Sequence, residues 1–184
     1  MLKVKSVIIG ISVVVIVSLL VFLANIGIFS TPVATEMVTG PYTFVYEEFI
    51  GDYKKSGVVF DRIYKAMEDE GIKTERGIGI YFDDPKVVPA DKLRSHCGII
   101  IEGKDLDKIP ELEKNFEVGQ IEKHKSVVVE FPIKSSLSYM IGPMKCYPIM
   151  GEYAEEKGYN MTTTTYEIYD EASKKILYVM EIVE

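Results

Sequence analysis

The chain has 184 residues, with 28 acidic and 21 basic side chains and a formal net charge of −7. Lys3 and Lys5 lie in an N-terminal segment without acids, so the remainder carries −9. That balance makes the domain a poor partner for nucleic acid, whose affinity comes largely from cationic contacts to phosphate, and none is expected.

Val7 to Phe29, within "VKSVIIGISVVVIVSLLVFLANIGIFS", contains no charged side chain. As a helix it is about 35 Å long, enough to cross a hydrocarbon core of about 30 Å. A cleaved signal has a shorter apolar run and a small-residue cleavage site, and "TPVATE" is a weak one. Residues 6–29 are therefore expected to be an uncleaved, single-pass transmembrane anchor. With lysines only on its N-terminal side, the positive-inside rule puts the N-terminus in the cytoplasm and the domain outside. Residues 30–40 read as a linker without hydrophobic period, and residues 41–184 as one domain large enough for a real core.

"YTFVYEEFI" (42–50) is rich in aromatic and β-branched residues and is expected to be a strand. Asp52 then reads as an N-cap. Over 53–70 the apolar positions Val59, Phe60, Ile63, Tyr64 and Met67 have helical spacing, and Gly71 supplies the stop. "GIGIYF" (77–82) and "LRSHCGIIIE" (93–102) are expected strands, joined by the proline-rich, acidic loop 83–92, and the polar stretch 103–115 reads as a connection. "KSVVVEFPI" (125–133) opens a second copy of the same order. Ser135 or Ser136 caps the next helical stretch, in which Gly142-Pro143 and Pro148 predict two short helices rather than one. "TTTTYEIYDE" (162–171) and "KKILYVMEIV" (174–183) are the last expected strands.

The chain thus reads as an α+β domain of duplicated β-α-β-β modules: an antiparallel sheet with two helical segments and a central groove on a pseudo-twofold axis. Aligning "IYFDDP" with "EIYDEA" matches Ile80 to Glu167. Cys97 and Cys146 make no disulfide framework. His96 and His124 have no metal-site spacing, and His96 and Cys97 point to opposite faces of a strand. No cofactor motif is present.

Glu167 is the candidate functional residue. In a strand, Thr165, Glu167 and Tyr169 share one face. If that face lines the groove, the carboxylate and aromatic rings favour a cationic or amphipathic ligand. If it is the wet face of the sheet, Glu167 is merely solvated. Tyr46, Tyr81, Tyr139 and Tyr147 are the other candidate ligand-binding residues, each of which doubles as an ordinary core tyrosine.

The β-α-β-β duplication, with "GDYKKSGVVFDRIYKAMEDEGI" after the first strand and "YEIYDEA" near the end, resembles the GyrI-like family of small-molecule effector-binding domains. In that family an acid in the last motif faces the central cleft. The stretches "IYFDDPKVVPADKLRSHCGIII" and "FPIKSSLSYMIGPMKCYPIMGEYAEEKG" are similar to the membrane-anchored branch typified by the testis-expressed ER-phagy receptor of animals. That receptor's long tail has no counterpart after the last expected strand. The resemblance therefore implies the fold and the anchor, not the autophagy role. It implies a non-catalytic ligand-binding domain on a membrane. Two rivals are a membrane-tethered adaptor that docks a protein through its sheet edge or the 83–92 loop, and a hydrolase with Glu167 as general base.

Overall fold

The apolar N-terminal run forms helix α1, Leu2–Asn25. The structure, a computed structural model, describes residues 2–160 and 165–183, with only the backbone for residues 2–8. The part of the C-terminal strand expectation that falls on 162–164 lies outside the described residues. Among them, no helix is long and apolar enough to cross a membrane. From residue 9 onward, the large apolar side chains of α1, from Ile9 to Phe22, are exposed around the helix.

The chain then runs through β1 (Ala34–Thr39), β2 (Tyr42–Ile50), α2 (Gly57–Asp69), β3 (Arg76–Tyr81), β4 (Arg94–Ile101) and the single turn α3 (Ile109–Leu112). It continues with β5 (Glu117–Ile121), β6 (His124–Pro132), α4 (Ser138–Lys157), β7 (Thr165–Asp170) and β8 (Lys175–Glu181). The strands form one curled antiparallel sheet in the order β1-β6-β8-β7-β3-β4-β2-β5. The expected modules are β2-α2-β3-β4 and β6-α4-β7-β8. They meet where β3 pairs with β7, and each sheet half is closed by an edge strand preceding the other module.

Three expectations are corrected. Residues 34–39, within the expected linker, are strand β1, and β5 arises just after the stretch expected to be a connection. Both are short edge strands that bury few side chains and lack a regular apolar alternation, so hydrophobic period does not reveal them. The two prolines do not divide α4, which is one helix. Each proline lacks an N–H and leaves the carbonyl four residues earlier unbonded. Those carbonyls belong to Tyr139 and Met144, which are exposed, so water can satisfy them. Meanwhile Ser138, Gly142, Cys146, Met150 and Ala154 keep one unbroken buried stripe against the sheet. Neither Ser135 nor Ser136 caps this helix. Leu137 holds the N-cap position, and Ser138 Oγ instead accepts from Lys134 N at 2.9 Å. Asp52 caps as expected, accepting from Lys54 N at 3.1 Å, but for the 3-10 turn that precedes α2.

Both long domain helices cover the same face. Val45, Cys97, Ile99 and Ile101 pack with Val59, Ile63 and Met67 of α2. Val127, Val129, Phe131, Ile176, Tyr178 and Met180 pack with Cys146, Met150 and Ala154 of α4. The opposite face carries its own cluster, including Phe44, Ile78, Ile100, Val128, Ile168 and Val179. With both faces buried, the strands are nearly continuous in apolar residues.

Candidate functional site

A row of cross-strand partners crosses the helix-bearing face: Glu47, Cys97, Gly79, Glu167, Tyr178 and Val129. Glu167 lies at its centre, between the clusters under α2 and α4. This corrects the repeat alignment. Ile80 belongs to the opposite face, and the residue directly across from Glu167 is Gly79.

The glycines make room for aromatic rings. A Cβ at Gly79 would lie 2.8 Å from the Tyr81 hydroxyl, and one at Gly77 would lie 3.2 Å from that of Tyr64. Into this space the two modules send tyrosines. Tyr147 donates to Glu167 Oε1 at 2.6 Å and Tyr169 to Oε2 at 3.0 Å. Since the one hydroxyl proton of Tyr169 is committed to the carboxylate, the 2.5 Å contact between Tyr81 and Tyr169 hydroxyls is donated by Tyr81. Thr165 Oγ1 donates to the Tyr147 hydroxyl at 3.5 Å. Two short chains of donors therefore converge on one carboxylate.

Glu167 is only 4 % exposed, and none of the described ion pairs includes it. Desolvation raises its pKa to about 7, against the opposing pull of the Tyr147 and Tyr169 hydrogen bonds. Burial, and then the charge of Glu167, push the Tyr147 and Tyr169 hydroxyls well above the ordinary phenol range, as they do Tyr81. These tyrosines stay protonated as donors while the carboxyl is poised near neutrality.

Of the expected residues, Tyr81, Tyr147 and Tyr169 join Glu167. Tyr139 lies one ring further out, its centroid 5.6 Å from that of Tyr169 and its hydroxyl on Glu171. Tyr46 does not belong. It lies on the other face, stacked on His96 at 4.2 Å, because its neighbour Val45 is the residue turned to α2. The solvated alternative for Glu167 is overturned by its burial. At Glu167 the expected central groove is occupied by these tyrosine side chains. Two surface hollows, of about 920 Å³ beside Lys54 and Ala90 and about 310 Å³ beside Thr74 and Glu102, lie elsewhere.

Three site neighbours escaped the sequence expectations: Tyr64, Phe60 and Tyr178. Phe60 meets Tyr169 edge-on at 5.4 Å, and Tyr178 meets Tyr147 likewise at 5.4 Å. A signal for Tyr64 was present. It follows the buried Ile63 of α2 as Tyr147 follows the buried Cys146 of α4. The 83–92 loop is tied down locally, with Asp83 accepting from Arg94 N at 2.8 Å and Tyr53 donating to Asp83 O at 3.1 Å.

No protein-family model and no curated protein matches this sequence. Solved structures do share its fold. The C-terminal domain of EcmrR superposes with a TM-score of 0.57 at 15 % identity, over 83 % of this chain and 98 % of that one. A conserved protein from Listeria innocua gives 0.52 at 11 % identity, over 82 % and 92 %. A hydrolase from Listeria innocua gives 0.51 at 12 % identity, over 88 % and 98 %. The likeness to these structures, at 11–15 % identity, is one of fold.

Proposed function

We propose that this protein is a membrane-anchored, non-catalytic domain that binds a small lipophilic cation at Glu167. The observation that carries the proposal is a carboxylate buried in an aromatic cage, with no cationic partner among the described residues. An ionised group in that position is costly unless a counter-charge arrives. A ligand cation with apolar flanks supplies the charge, and the surrounding tyrosine rings supply apolar and cation–π contact. Entry requires the tyrosines between α2 and α4 to part. Anchoring rests on the apolar run Val7–Phe29 and on the apolar side chains that α1 exposes on all sides.

Lipophilic cations such as tetraphenylphosphonium will raise the melting temperature of the wild-type protein. Glu167→Gln keeps the shape of the cage and removes the charge. It will bind the same cations at least about a hundredfold more weakly, the loss of a desolvated charge contact. Equal stabilisation of the variant, or none of the wild type by any cation, argues against the proposal.

Catalysis is the second reading, since a carboxyl poised near pH 7 suits a general base and two fold neighbours are named hydrolases. Turnover of a bound ligand that is lost in Glu167→Gln would favour it. The adaptor reading gains if no small molecule shifts the melting temperature and a protein partner is retained.

A further inference from the structure

The two equivalent helices differ on the side turned away from the sheet. Their buried positions correspond: Val59, Ile63 and Met67 in α2 match Gly142, Cys146 and Met150 in α4. In this register Asp61 corresponds to Met144 and Arg62 to Lys145. Beyond Val58 in its first turn, which is 64 % exposed, the outward side of α2 is charged, with Asp61, Arg62, Lys65 and Asp69 exposed. The first half of α4 instead presents Met140 and Met144, which are 52 % and 78 % exposed. Exposed charge returns in its second half, at Glu152, Glu155, Glu156 and Lys157. Methionines this exposed add nothing to the core, whereas flexible, polarisable side chains of this kind suit an adaptable contact surface.

The end of α1 lies against this same half of α4. Lys145 Nζ donates to Ser30 O at 2.7 Å and also to Ile28 O, and Lys134 Nζ donates to Ala24 O at 3.3 Å. Ile28 and Phe29, which follow α1, are 36 % and 58 % exposed. Lys145, the residue next to Met144, thus ties α4 to the place where the apolar helix ends. The surface of α1 and the outward side of α4 are joined at one point.

We infer that Met140 and Met144 form a second membrane contact, resting on the zwitterionic lipid surface from which α1 emerges. The inference depends on the anchor proposed above. The formal charge of −9 outside the N-terminal segment opposes attraction to anionic headgroups, so the contact is apolar. It sets the orientation of the domain. Because α4 also carries Tyr139 and Tyr147, it brings the Glu167 cage to the layer where amphipathic cations accumulate.

The chain contains no tryptophan, so single tryptophans report cleanly. Met144→Trp, Asp61→Trp and Val17→Trp are compared in the full chain reconstituted in phosphatidylcholine vesicles with brominated acyl chains. Met144→Trp will be quenched about threefold more than Asp61→Trp by bromine placed near the headgroups, as expected for an interfacial helix face. Val17→Trp will be quenched most by bromine near the bilayer centre. If Met144→Trp is quenched no more than Asp61→Trp while Val17→Trp is quenched, the anchor stands and the second contact is overturned. A blue-shifted but unquenched Met144→Trp means that protein covers the face, which also overturns it. If Val17→Trp is unquenched, the anchor fails and the contact with it.

Discussion

Raising the pH from 4.5 to 7 will cost the unliganded domain about 3 kcal/mol of stability through Glu167 alone, because burial lifts its carboxyl to about 7. The sign follows from proton binding. Between the two values the folded carboxyl holds a proton that the unfolded one has released. The associated stability is fully present below about 4.5 and is lost as the pH rises through about 7. His96 works in the opposite sense, because burial lowers its pKa. The readable quantity is therefore the difference between wild type and Glu167→Gln. Urea denaturation at pH 5 and pH 8 will show the variant gaining on the wild type by roughly that amount, since a neutral amide needs no counter-charge. A constant difference across this range would show that Glu167 titrates as an ordinary carboxylate.

Phe131→Ala will destabilise the protein by about 3–5 kcal/mol, the usual cost of emptying a fully buried phenylalanine site. The ring is 0 % exposed. It is wedged between two glycines, with Cζ 3.1 Å from where a Cβ at Gly27 would lie and Cδ1 3.3 Å from one at Gly142. Gly27 has a φ of +83°, so the turn after α1 also needs glycine for its backbone. Phe131 therefore fills the core under α4 and braces the end of α1 together. In a domain of this size the loss lowers the melting temperature by about 10 °C. A drop under about 3 °C would mean that the surroundings collapse into the space and that the ring is not the wedge.

The sequence showed the duplicated modules because each contains a helical stretch between strong strands. The order β2-α2-β3-β4 and its copy could be read from the spacing of Val59, Ile63 and Met67 and from the runs around Ile99 and Val128. The edge strands β1 and β5 could not, since "ATEMVT" and "EVGQI" bury few side chains and acquire their pairing only from the other module. The prolines of α4 were misleading because helix continuity there is set by its buried stripe. At the site, strand alternation placed Thr165, Glu167 and Tyr169 on one face correctly. Burial of Glu167 depends on rings delivered from α4 and β3, which alternation cannot supply. Tyr46 was misassigned because β2 buries both of its faces, leaving no polar side to fix which residues turn toward the helices.

The most direct test of the buried, cation-seeking carboxylate is a ¹³C NMR titration of the Glu167 side chain, assigned through Glu167→Gln. In the free protein the carboxyl will titrate near pH 7. With a saturating lipophilic cation its midpoint will fall by about one unit or more, as a neighbouring positive charge stabilises the ionised form. A midpoint near 4.5 in the free protein, or one that the bound cation leaves unmoved, would contradict the account.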